Sequence, residues 1–142
     1  MRNFANTLTV EAIAGIVIAV IIFVILLIII IKKRPRRRGD KYFASRWKAL
    51  QARCSDKGQW ATAIFEADDL LGEALQKSKV KGKSLGERLV SAQNLFTDND
   101  AVWFGHKLRT KLDAKPDTKL TKTDVKKALF GIRQALKDLE VL

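Results

Sequence analysis

The side chains able to do acid–base chemistry concentrate in two stretches of the chain. Glu66, Asp68, Asp69 and Glu73 crowd one of them, and His106, Arg109 and Asp113 follow one another at spacings of three and four in the other. Close carboxylates, or a carboxylate beside an imidazole, are what general acid–base catalysis uses. The wider inventory is thin. One histidine cannot build a His-rich metal site, and Cys54 is alone, so there is no internal disulfide, no CxxC pair and no thiolate cluster. No P-loop, GxGxxG, HExxH or GxSxG pattern occurs. The expectation is therefore no metal and no cofactor. Most of the acidic quartet reads as a solvated helix face. Asp68 differs, because it falls between Ile64 and Leu71 on the edge of an apolar stripe. A carboxylate there needs a hydrogen-bonded or charged partner, and no base lies three or four residues away on its own helix.

Val102, His106, Arg109 and Asp113 form one stripe beside the apolar face of a later helix, so Arg109 and Asp113 can pair within it. If the two helices are neighbours, Asp68 should meet Arg109 or His106. That cluster (Asp68, His106, Arg109 and Asp113) has two readings, a remnant of an active-site cleft or a charge pair fixing helix register.

The elements that position these residues read as five helices. Phe43, Trp47, Leu50 and Cys54 make one apolar stripe over about 41–55. Trp60, Ile64, Ala67, Leu71 and Ala74 repeat the stepping through about residue 77. The lysine-rich stretch 77–83 reads as a solvated loop. Ser84-Leu-Gly-Glu87 matches a capping box and starts a short helix to about Leu95. Thr97 to Asp100 offers N-caps for a fourth helix bearing Phe104, Gly105, Leu108 and Leu112. Thr121-Lys-Thr-Asp124 opens the last, with Val125, Leu129, Ile132, Leu136 and Leu139 on its stripe. Leu129, Ile132 and Leu136 are expected to be buried. No alternating strand pattern appears, so the fold class is all-α, an antiparallel helical bundle of about five helices over 41–142.

Ahead of the bundle, Ala12 to Ile31 is a run of twenty apolar residues without charge or proline. A helix of that length is about 30 Å, the thickness of a bilayer's hydrocarbon core. It reads as a transmembrane helix over 10–31, after a short extracytoplasmic N-terminus at 1–9. A signal peptide would put its basic residues first; here they follow. Residues 32–40 form a basic juxtamembrane linker in which Lys32, Lys33, Arg34, Arg36, Arg37 and Arg38 carry half of the net charge of +12. By the positive-inside rule these six set the topology, N-terminus outside and the domain cytoplasmic, in a single-pass cell-membrane protein. They also suit anionic lipid head groups. From Gly39 onward 20 cations stand against 14 acids, a surplus of six.

Arg46-Trp47, Trp60-Ala-Thr-Ala-Ile64, Glu66-Ala-Asp-Asp-Leu-Leu71, Gly86-Glu-Arg-Leu89 and Trp103-Phe-Gly-His-Lys-Leu-Arg109 appear in this order along the chain. Together with the tail from Lys119 to Leu129, they resemble small bacterial membrane-anchored helical proteins similar to the HEPN superfamily. The resemblance covers about 43–141 and implies a HEPN-like bundle. Many HEPN domains are ribonucleases that use an arginine, a polar residue and, a few residues on, a histidine. Arg109 matches the arginine, Thr110 stands where asparagine is common, and Ala114 stands where the histidine would fall. The resemblance thus implies the fold and argues against the nuclease, since the imidazole that would serve 2′-hydroxyl attack is missing.

The expected function is a membrane-tethered, non-catalytic helical interaction module that binds a protein partner or itself. A membrane-tethered nucleic-acid-binding domain is the alternative, favoured by the surplus of six cations, and no small-molecule substrate is evident.

Overall fold

The computed structural model describes residues 2–32 and 40–142, with side chains of the first stretch described for 12–28. The chain divides into two units, one holding helix α1 (Arg2–Lys32) and the other holding α2 (Lys41–Arg53), α3 (Trp60–Lys77), α4 (Leu85–Ser91), α5 (Asn99–Ala114) and α6 (Lys122–Asp138). Among the described residues every regular element is helical, so the protein is all-α.

The first unit corrects the sequence reading. Among the described residues no helix is long and apolar enough to cross a membrane. The side chains described on α1, 12–28, are seventeen in number and all exposed. The absence of such a helix among the described residues overturns the transmembrane helix expected over 10–31. The single-pass membrane protein, the cell-membrane localisation and the N-out, C-in placement that rested on it fall too. Of the basic strip, Lys32 closes α1, while Lys33, Arg34, Arg36, Arg37 and Arg38 lie outside the described residues.

In the second unit the caps explain where the helices begin. Asp40 accepts the Tyr42 N–H at 2.9 Å and so opens α2. Its own N–H donates to the carbonyl of Val141 at 2.9 Å, which ties the start of the bundle to its end. Ser84 Oγ accepts the Glu87 N–H at 3.2 Å, but the Glu87 carboxylate returns to the N–H of Lys83 rather than that of Ser84. The capping-box arm is therefore shifted by one residue, and α4 is short; a 3₁₀ turn, Gln93–Leu95, finishes the stretch read as one helix. Asp98 caps α5 through the N–H of Ala101 at 3.0 Å. At α6 the reciprocal box is complete: Thr121 Oγ1 accepts from Asp124 N–H at 3.1 Å, and Asp124 accepts from Thr121 N–H at 3.2 Å.

The C-termini of α3 and α6 close alike. Lys79 and Glu140 turn to φ of 57° and 59°, and the next residue's N–H reaches back to Leu75 O and Leu136 O. These are Schellman motifs built without glycine, and Val80 and Val141 supply the apolar residue after each left-handed position.

Helix α3 is the hub, packed against α2, α5 and α6, and α5 and α6 share the broadest contact. Leu50, Ile64, Leu70, Leu71, Leu75, Leu89, Val102, Ile132 and Leu136 are fully buried. Trp47 is in the core, whereas Trp60 and Trp103 are half-buried at its margin. Leu129 is half-buried, not buried as its stripe suggests. The inner face of α6 is centred instead on Ala128, Gly131, Ile132 and Ala135, because α5 approaches so closely there that only small residues fit. A Cβ on Gly131 would stand 2.3 Å from the carbonyl oxygen of Ala101, and one on Gly105 would stand 3.0 Å from Ile132 Cδ1. That crowding displaces Leu129 to the rim.

Candidate functional site

Asp68 lies in the middle of α3, one turn after Ile64, and its neighbours Ala67 and Leu71 are buried in the core. At 1% exposure it is itself a buried carboxylate. A charge so placed is tolerated only where polar groups surround it. Helix α5 supplies them. His106 Nδ1 lies 3.2 Å and 3.0 Å from the two carboxylate oxygens of Asp68, so the Nδ1–H donates to the carboxylate. Arg109 Nε is 3.8 Å from Asp68 Oδ2, within Coulombic reach but beyond hydrogen-bond length. That Nε is buried and has no hydrogen-bond partner among the described residues. The Arg109 guanidinium lies over the ring of Phe65, 5.3 Å from its centroid, and its far end reaches Asp113 Oδ2 at 3.9 Å. Asp113 is two-thirds exposed.

The four residues named from sequence therefore fall into a graded series. Asp68 and His106 are hydrogen-bonded, Arg109 attends them electrostatically, and Asp113 touches only the solvent end of Arg109. Three residues that the sequence did not single out for this cluster complete its surroundings. Trp103 packs edge-on to the imidazole with 5.9 Å between ring centroids. Phe65 holds the guanidinium. Gly86 on α4 lies opposite the imidazole, where an added Cβ would be 3.8 Å from His106 Nε2. The spacing of Phe65 and Trp103 beside Asp68 and His106 was legible, but only the helix crossing tells which aromatic lies against which base.

Chemically, the carboxylate fixes the imidazole's orientation, as an orienting acid does in a catalytic pair. The hydroxyls that the structure gives near it are otherwise engaged. Ser84 Oγ caps α4, and Thr110 Oγ1 donates back to the carbonyl of His106 at 3.0 Å. Cys54 lies elsewhere, between α2 and α3; burial pushes its thiol above its ordinary range, and the sulfur contacts Leu50 O at 3.4 Å. A thiol held protonated is a poor nucleophile. Among the described residues no three of His, Cys, Asp and Glu gather closely enough to hold a metal ion. Ala114 is exposed at the last turn of α5.

The other acids of the α3 quartet serve its surface. Glu66 pairs with Arg53, and Glu73 accepts from the hydroxyl of Tyr42 at 2.7 Å. Asp69 is exposed.

Comparison of the chain with family models, with curated proteins and with solved structures finds no match.

Proposed function

We propose that the bundle of α2 to α6 is a non-catalytic interaction module that binds a protein partner or a second copy of itself. The observation that carries this reading is the outer face of α6 against α2. There Phe130 is 63% exposed beside half-buried Leu129 and Cys54, and a groove of about 260 Å³ runs between the helices. A large aromatic left in solvent at a groove is a common anchor of protein recognition. The described side chains of α1, apolar and exposed throughout 12–28, add further surface for a partner to cover. The polar cluster supports the same reading from the other side. Asp68 is sealed at 1% exposure, with its hydrogen bonds spent on His106, which suits a clip between α3 and α5 more than a reacting group. The likeness to HEPN domains, with Ala114 in place of the histidine, belongs to this proposal as a helical scaffold without the nuclease.

A second reading, a nucleic-acid-binding domain, rests on the surplus of six cations from Gly39 onward. Titrating labelled RNA and DNA with the full chain at low and high salt separates the two. The expected result is weak binding and no cleavage. Tight binding that falls steeply with salt would move the assignment to the second reading. Cleavage that disappears in His106→Ala or Arg109→Ala would overturn the non-catalytic one.

A further inference from the structure

The groove between α2 and α6 has a chemistry of its own. Trp47, Cys54, Leu129 and Phe130 provide its apolar lining. Gln51, Lys126 and Arg133 complete it, and no acidic residue lines it. Lys126, Phe130 and Arg133 are spaced by four and three, so they form one outward stripe on α6 with the aromatic between the two cations. Both cations are exposed, and among the described residues neither forms an ion pair. This contrasts with the cations around the α2–α3 seam, where Arg46, Arg53 and Lys77 each face a carboxylate. The indole N–H of Trp47, which helps to line the groove, is buried and finds no acceptor among the described residues.

We infer that this groove docks an acidic amphipathic segment of a partner protein, with an apolar side chain against Phe130 and Trp47 and carboxylates on Lys126 and Arg133. The inference rests on the interaction reading above and names its partner. A helix or strand laid in such a groove gains apolar burial from the lining and selectivity from the rim. Charge complementarity decides the occupant. A second copy would bring its own cationic surplus against Lys126 and Arg133. At the end of α6 itself, Asp138 already accepts from Thr97 and Gln134, and Val141 is buried.

The test uses the full chain and a labelled amphipathic peptide with leucines at i and i+4 flanked by glutamates. A peptide with lysines in place of the glutamates is the control. Fluorescence anisotropy should show binding of the acidic peptide and none of the basic one. Phe130→Ser and the double variant Lys126→Glu/Arg133→Glu should each weaken binding at least about tenfold, the latter with loss of its salt dependence. All three substituted side chains are exposed, so helicity by circular dichroism should not change. Equal binding of both peptides, or binding insensitive to the double reversal, would overturn the acidic partner. If neither peptide binds but sedimentation shows a dimer lost in Phe130→Ser, the acidic partner falls and the interaction module stands. If there is neither peptide binding nor self-association, and nucleic acid binds steeply with salt, both readings fall.

Discussion

Helix α5 makes two seams of opposite character, and the contrast is instructive. Toward α6 it meets Gly131, Ala128 and Ile132 with Ala101 and Gly105, so closely that backbone lies against backbone. Toward α3 it meets a buried carboxylate with His106 and Arg109. The first seam is held by dispersion and by apolar burial, and the close approach of the backbones leaves no room for a side chain at Gly131 or Gly105. The second is held by a directional hydrogen bond that compensates the desolvation of Asp68. One seam tolerates no addition of atoms; the other tolerates no removal of a partner.

That asymmetry is open to direct test. The largest effect is expected from Gly131→Leu, because even a Cβ there would stand 2.3 Å from the Ala101 carbonyl oxygen. The loss should exceed about 4 kcal/mol, the exceptional end for single substitutions, and thermal unfolding should show no native transition. A cooperatively folded Gly131→Leu protein would mean that α5 and α6 can part without unfolding the bundle.

At the polar seam, Asp68→Ala should cost roughly 3 kcal/mol, since it removes the acceptor of His106 and the carboxylate beside the buried Arg109 Nε. Double-mutant cycles in denaturant sharpen this. Asp68 with His106 should couple by about 1 kcal/mol or more. Asp68 with Arg109 should couple less, because the 3.8 Å approach is no hydrogen bond. A larger coupling to Arg109 would reverse the ranking of the two partners.

The smallest expected effect lies at the entrance of α6, which must be in place for either seam to form. Thr121→Ala should cost about 1 kcal/mol by removing the N-cap. Acid adds a sign. Hydrogen bonds from the side chain and backbone of Thr121 hold the Asp124 carboxyl below its ordinary range, and at the other end of the bundle Lys77 and the Tyr42 N–H do the same for Asp40. A depressed carboxylate stabilises the fold fully above its unfolded value, and the contribution disappears as pH falls through the folded one. Stability should therefore drop below about pH 4, and Asp124→Asn should flatten part of that drop. An unchanged acid limb in Asp124→Asn would remove the box from the account.

Much of this bundle was legible in the residues. Periodicity gave five helices, because burying one face of a 3.6-residue repeat demands apolar residues at that spacing. Ser84 and Thr121 mark two starts and Thr97 to Asp100 brackets a third, since a helix's first N–H groups need a side-chain acceptor; the structure picks Asp98. Asp68 stood out because a carboxylate on an apolar stripe cannot be left alone. The apolar run of α1 reads as a membrane span on length and composition, but among the described residues no helix is long and apolar enough to cross a membrane.

What the tertiary structure decided was which faces meet and at what distance. The place of Leu129 at the rim could not be read from its stripe, because it follows from Gly105 and Gly131 drawing α5 against α6. A pattern of apolar residues records which side chains avoid water, but not where two backbones touch. His106, rather than Arg109, became the hydrogen-bonding partner of Asp68, although the two lie on one stripe. The crossing of α3 over α5 sets the imidazole at hydrogen-bond length and the guanidinium nearly an ångström farther, and that difference, too small for any spacing rule, separates a directional bond from a Coulombic contact.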